Sequence, residues 1–183
     1  MQQKIQLRNK YLNLRKKKYY NIKKQFFLPL LQLIRLKMKK KKIKIALYYP
    51  SNFELNVLKI LEFKHILSQE ILLPATYKKN LMNFFKWKKN GVLSVNEFGI
   101  LEPIKTMAKI PDVMLIPTLA FDKDKFRLGY GKGFYDRYLN KYLKKYQNIL
   151  TVGVAFSFQK HHKLPINHND VKLDYILTEK GIY

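Results

Sequence analysis

The spacing of apolar and polar positions changes several times along the chain, and each change marks an element. Leu7, Tyr11, Leu14 and Lys18 recur at helical spacing, which predicts a first helix over residues 3–18. A second helical stretch is expected over about 21–38, broken or kinked near Pro29, because proline lacks the helical N–H and clashes with the preceding turn. The period then shortens. "KIALYYP" (44–50) reads as a buried strand ended by proline, and "LNVLKILEFKHIL" (55–67) as an amphipathic helix with Leu58, Leu61 and Ile66 on one side. "EILLP" (70–74) and "NFFKW" (83–87) read as short strands, and "NEFGILEP" (96–103) as a loop. "PDVMLIP" (111–117) is continuously apolar, as expected of a central strand buried on both faces. A helix over about 133–146 and strands at "LTVGVAF" (150–156) and "LDYILT" (173–178) complete the series. Strands alternating with helices predict an α/β fold whose sheet is covered on both faces. The 183 residues suit one domain, 1–183, with the helical segment of about 3–38 packed on an α/β core.

Composition narrows the chemistry. The chain has no cysteine, so a disulfide framework, a thiolate zinc site and a cysteine nucleophile are excluded. The longest apolar stretch, "FFLPLLQLI" (26–34), contains Pro29 and Gln32 and is too short to span a bilayer. No signal-peptide core follows the N-terminus, and a cytoplasmic protein with no membrane partner is the expectation. The formal net charge is +25, and no acidic residue precedes Glu54. Such charge fits a polyanion partner. It also fits the Lys-, Ile- and Asn-rich composition of proteins from AT-rich genomes, and that reading is favoured. No aromatic RNA-binding signature or zinc finger supports nucleic-acid binding. A basic α/β nucleic-acid-binding protein with a degenerate nucleotide loop is therefore the alternative reading.

"RLGYGKGFYDRYL" (127–139) holds three of the seven glycines, at 129, 131 and 133, with Lys132 between the last two. It lies between a buried strand and a helix, at the carboxyl end of the strand, where ligands bind in open α/β sheets. Glycines allow close backbone approach, and free N–H groups beside a helix N-terminus form an anion site. Arg127 and Lys132 add full charges, so phosphate is the natural occupant. The stretch is not a Walker loop, since glycine follows Lys132, nor a dinucleotide fingerprint, since the third glycine is misplaced. A tight strand-to-helix turn with solvated charges is the structural alternative. His161 and His162 lack partner spacing for a metal and read as loop residues.

Over its longer extent, "PDVMLIPTLAFDKDKFRLGYGKGFYDRYL" (111–139) closely resembles the signature of the 5-formyltetrahydrofolate cyclo-ligase family. "KIQLR" (4–8) resembles the family's N-terminal Lys-x-x-x-Arg, "IALYYPSNFEL" (45–55) its strand and substrate loop, "NEFGILEP" its "FGIPEP" loop, and "HNDVKLDYILTEKG" (168–181) its C-terminal stretch. The resemblance implies a single three-layer domain of the NagB/RpiA/CoA-transferase kind. It also implies an enzyme that uses ATP and magnesium to convert 5-formyltetrahydrofolate into 5,10-methenyltetrahydrofolate, ADP and phosphate. In that reaction the formyl oxygen is phosphorylated, N10 attacks the activated carbon, and phosphate leaves.

The matching positions carry the implied roles. Lys4 and Arg8 match the ATP-contacting pair, and Arg127, Leu128, Gly129, Tyr130, Gly131, Lys132, Gly133, Phe134 and Tyr135 match the ATP loop. Arg127 and Lys132 are the expected catalytic cations. Tyr130 to Phe134 are expected to line the folate site as well, with Glu54 receiving the pterin and Tyr49 against the substrate. Asp136 and Asp170 match the magnesium ligands. The expected partners are the two small substrates, and the expected state is a monomer. Departures are Asn56 and Val57, where many relatives have an acid and a hydroxyl, and Phe134, where tyrosine is common.

Overall fold

The continuous apolar runs form a sheet with two buried faces because strand geometry sends alternate side chains to opposite sides. The computed structural model describes residues 2–146 and 148–183. In chain order its elements are α1 (Gln2–Lys18), α2 (Leu28–Lys37), β1 (Lys44–Ala46), α3 (Lys64–Leu67), β2 (Glu70–Tyr77), β3 (Leu81–Lys86), β4 (Leu93–Val95), β5 (Leu101–Pro103), β6 (Val113–Pro117), β7 (Ala120–Phe121), β8 (Arg127–Leu128), α4 (Phe134–Tyr142), β9 (Leu150–Val154), β10 (Tyr175–Thr178) and β11 (Gly181–Ile182). The main sheet runs β11-β10-β9-β6-β1-β2-β3. Strands from β10 to β2 are mutually parallel, and the edges β11 and β3 pair antiparallel. β4–β5 and β7–β8 are separate antiparallel pairs.

Alternation assigns Ile45, Leu47, Ile71, Leu73, Val113, Leu115, Val152 and Val154 to one core, against Leu30 and Ile34 of α2. Ala46, Leu72, Met114, Ile116 and Ile176 face the other way, against Tyr138 and Leu139 of α4. This is the three-layer, mostly parallel α/β architecture expected from the sequence. A third cluster joins Tyr11, Leu7 and Leu14 of α1 to Leu119, Ala120, Leu128 and Leu164. It holds α1 beside the loop that follows β6. No helix among the described residues is long and apolar enough to cross a membrane.

Several local expectations are corrected. Pro29 marks the expected break, but not as a kink: it occupies the first turn of α2, preceded by a 3₁₀ turn at Lys24–Phe27. Proline suits that position because its φ is helical and its missing N–H would have no partner there. The expected helix over 55–67 is a 3₁₀ segment, Val57–Glu62, followed by the single turn α3. Val57 and Ile60, three apart, are both fully buried, and a 3₁₀ turn aligns positions i and i+3. Asn56 opens the segment by accepting the N–H of Leu58 at 3.1 Å. The expected loop at 96–103 contains β5 and forms the end of a hairpin. Asn96 Oδ1 closes its turn by accepting the N–H groups of Phe98 and Ile100, each at 2.9 Å. The helix expected over about 133–146 ends at Tyr142.

Gly153 in β9 lies where the sheet meets the carboxyl-end loops. A Cβ there would come within 2.7 Å of Ile176 Cδ1, 2.9 Å of Leu173 Cδ1 and 3.0 Å of Thr118 Oγ1. Gly153→Ala is expected to destabilise the protein by about 2 kcal/mol through overpacking, read as a lowered denaturant midpoint. An unchanged midpoint would contradict it.

Candidate active site

A cleft of about 1340 Å³ opens at the carboxyl end of the sheet, between α1, the segment after β1, the β4–β5 hairpin and the glycine loop. Every residue given a site role from the family resemblance lines it: Lys4, Arg8, Tyr49, Glu54, the run from Arg127 to Asp136, and Asp170. Half-exposed apolar side chains, among them Ile5, Phe98, Tyr130 and Ile166, also face this space. They offer flat apolar surface to a ligand.

The three glycines of the loop each seat an arginine. A Cβ on Gly129 would lie 2.7 Å from Arg127 Nη1, one on Gly131 3.2 Å from Arg8 Cζ, and one on Gly133 3.1 Å from Arg137 Nη1. Gly131 and Gly133 also have φ of +103° and +69°, and Gly133 caps α4 in the left-handed conformation. The loop therefore combines two turns that favour glycine with tight packing of guanidinium groups. Arg8 Nε donates to Gly129 O at 2.9 Å. Arg137 Nε donates to Asn80 O at 3.0 Å, and its Nη2 donates to Lys132 O.

Arg127 is buried, with its guanidinium carbon 5.5 Å from the Tyr135 ring centre. Its Nη2 lies 3.0 Å from Asp136 Oδ1 without hydrogen-bond alignment, so its buried Nε and Nη2 both lack a hydrogen-bonded acceptor. The Tyr135 hydroxyl is likewise buried without a partner. Lys132 is exposed, with Nζ 4.7 Å from the Phe98 ring centre. An anion entering this side would find buried donors and the exposed cation of Lys132.

Asp136 and Asp170 come to the same wall. Asp136 Oδ1 lies 3.4 Å from the backbone N of Val171, which follows Asp170. Asp170 Oδ2 accepts from the backbone N of Asn167 at 2.7 Å and pairs with Lys4. No group of three or more His, Cys, Asp or Glu side chains forms a metal cage among the described residues. The donor set fits magnesium in its usual manner, where one or two carboxylates hold an ion otherwise coordinated by water and phosphate. Such an ion would compete with Lys4 and Arg127 for these carboxylates.

On the opposite side, Glu54 is 6 % exposed. Its Oε1 accepts from the Tyr130 hydroxyl at 2.7 Å, and its Oε2 accepts from Ser51 N at 2.9 Å. Burial raises its pKa above the usual carboxylate value, opposed by the Tyr130 and Ser51 hydrogen bonds and by the charge of Arg15. Its sign follows directly: the raised value makes ionised Glu54 a cost to the ligand-free fold that grows as pH rises through that value. The Tyr130 and Tyr135 hydroxyls are pushed up, mainly by burial and then by Glu54, so both are neutral donors.

Sequence reasoning missed Arg15, Ser51, Phe98, Glu102 and Arg137, which also shape this cleft. Glu102 is buried and accepts from Thr76 N at 2.8 Å and Asn96 Nδ2 at 2.6 Å, fixing the hairpin that carries Phe98. The one available signal for Arg15 was its register. With Lys4, Arg8 and Tyr11 it continues a single stripe along α1.

Comparison with known proteins gives one family. The profile of the 5-formyltetrahydrofolate cyclo-ligase family matches residues 1–179. A 5-formyltetrahydrofolate cyclo-ligase from Haemophilus influenzae is 32% identical over 141 residues, covering 73% of this chain and 74% of that protein. The solution structure of Aquifex aeolicus 5,10-methenyltetrahydrofolate synthetase superposes with a TM-score of 0.73 at 31% identity, over 98% of this chain and 91% of that one. A 5,10-methenyltetrahydrofolate synthetase from Mycoplasma pneumoniae gives a TM-score of 0.68 at 29% identity, over 95% and 97% of the two chains.

Proposed function

The chain belongs to the 5-formyltetrahydrofolate cyclo-ligase family and is an enzyme of that class, and from this premise we propose that its cleft performs an ATP- and magnesium-dependent ring closure of 5-formyltetrahydrofolate. The observation that supports the reading is the division of one cleft into two chemistries. Glu54 is a carboxylate acceptor on one side, and the Arg127 to Tyr135 loop is a cationic, donor-rich surface on the other. Tyr130 belongs to both, through its bond to Glu54 and its place in the loop.

Glu54 accepts the pterin's amino group and adjacent ring N–H side by side, as a carboxylate can. Each carboxylate oxygen carries two lone pairs, so Glu54 takes the ligand's donors while keeping its bonds from the Tyr130 hydroxyl and Ser51 N–H. Tyr49 and Phe134 flank the folate. Lys4 and Arg8 reach the nucleotide from α1, while loop N–H groups, Arg127 and Lys132 take up the phosphates. The formyl oxygen is a poor leaving group, and receiving the γ-phosphoryl group makes it a good one. N10 then bonds to the formyl carbon and gives up its proton, as the carbon–oxygen bond breaks and phosphate departs with that proton. Arg127 and Lys132 stabilise charge on the transferred phosphoryl group, and the cleft holds N10 against the carbon. Asp136 and Asp170 would hold a magnesium ion, which would supply neutralisation of the phosphate oxygens.

The test is conversion of 5-formyltetrahydrofolate followed by the absorbance of the conjugated methenyl product. Turnover is expected only with ATP and magnesium together, with one phosphate released per product. Product formation without ATP, or ATP hydrolysis uncoupled from it, would refute the mechanism.

A further inference from the structure

We propose that Arg15 is a positioning residue for the folate side of the cleft: it holds the turn bearing Glu54, and Tyr130 against it, in the arrangement that receives the pteridine. The inference rests on the assignment of Glu54 as the pteridine acceptor. Arg15 sits in the last turn of α1, within "RKKK" (15–18), yet it is 1% exposed while the next three lysines are solvated. A buried guanidinium is expensive unless its donors are used.

Its Nη2 donates to Asn52 O at 2.7 Å and also to the Tyr130 hydroxyl, while its buried Nε has no hydrogen-bond partner. Its guanidinium carbon lies 5.5 Å from the Tyr130 ring centre. Asn52 and Phe53 have φ of +46° and +61°, two successive non-glycine residues in a left-handed conformation. Such strain persists only where neighbours impose it. Arg15 grips the carbonyl of this turn, and the turn ends at Glu54. The Tyr130 hydroxyl accepts from Arg15 and donates to Glu54, so one chain of hydrogen bonds joins α1 to the carboxylate.

Electrostatics agree with this geometry. The groups that face Glu54 are the phenols of Tyr48, Tyr130 and Tyr135, the Ser51 hydroxyl and N–H, and Arg15; Arg127 stands beyond Tyr135. Arg15 is the cation that acts on Glu54 to favour its ionised form against burial. Without it the carboxyl keeps its proton to higher pH. A protonated carboxyl cannot accept two donors side by side.

Equilibrium binding of 5-formyltetrahydrofolate without nucleotide, measured between about pH 5.5 and 8.5, tests the proposal. Arg15→Met is expected to weaken binding about tenfold at the acid end and only about twofold at the alkaline end. Arg15→Lys, which keeps the charge, should stay within about threefold of the parent with the parent's pH profile. The KM for ATP should change little in either variant. If Arg15→Met fails to fold by thermal melting, Arg15→Gln carries the same test with polar donors but no charge. A loss of equal size at every pH, or no loss in either neutral variant, would overturn the role. Glu54→Gln separates the two claims. If it binds the folate like the parent, the pteridine assignment falls and the Arg15 role with it. If it loses the folate while the neutral Arg15 variants show a pH-independent loss, the Arg15 role alone falls.

Discussion

Removing α1 is expected to abolish turnover, lowering kcat/KM by at least about 1,000-fold. The reason lies in how the helix docks. Its polar stripe docks on the rest of the protein once per turn: Lys4 at Asp170, Arg8 at Gly129 O, Tyr11 at Lys160 O and His161, Arg15 at Asn52 O and Tyr130. A chain beginning at Lys37 would lose all four contacts, expose Leu128 and Leu164, which α1 covers, and also lose α2 with Leu30 and Ile34 of the main core. The helix is thus a wall of the cleft and is expected to be retained by the working enzyme. Because such a chain can also lose stability, the pair Lys4→Ala and Arg8→Ala provides the sharper measurement. It leaves Tyr11 and Arg15 docked and should raise the KM for ATP on the order of 100-fold, with a small effect on folate binding. Full activity of the shortened chain, or an unchanged KM for ATP in the double variant, would remove α1 from the nucleotide site.

The second large effect is expected at Asp136 and Asp170. ATP brings several negative charges beside Arg127 and Lys132, and two carboxylates there repel them unless a cation bridges the two sets. Arg127 pairs with Asp136, and Lys4 with Asp170. Magnesium would take over both and leave the two side chains free for phosphate. Asp136→Asn and Asp170→Asn should each lower kcat on the order of 100-fold at limiting magnesium, and each should raise the magnesium concentration needed for half-maximal rate. Folate binding without nucleotide should hardly change. The alternative role for Asp170 is only to anchor Lys4. In that case Asp170→Asn would match Lys4→Ala in its KM for ATP and leave magnesium activation untouched, and Asp136 alone would remain as a ligand.

Much of the architecture was legible because its causes are local. "VMLIP" is continuously apolar, and all five residues of β6 are buried in the centre of the sheet. The glycine loop announced itself by composition, and it does lie between a buried strand and a helix. The segment at 55–67 misled because its apolar residues fit both a 3.6-residue and a three-residue period. Contact with the core, through Val57 and Ile60, selected the tighter turn. Pro29 marked the break but not its form, because a proline has different consequences in the first turn and in the middle of a helix.

The amino-acid sequence by itself determined six of the seven strands of the main sheet, the position of the glycine loop at 127–139 and the family to which the chain is related. These depend on periods and motifs within a few residues. Only the tertiary structure decided which of the many cations are buried, and against what. Arg15 and Lys16 are adjacent and chemically alike, yet one lies under Tyr130 and the other in solvent. The second purpose of the three glycines, to seat Arg127, Arg8 and Arg137, was equally hidden, since Arg8 is more than a hundred residues away from them in the chain. Burial of a charge is set by the partners that compensate it, and those partners come from segments that only folding brings together.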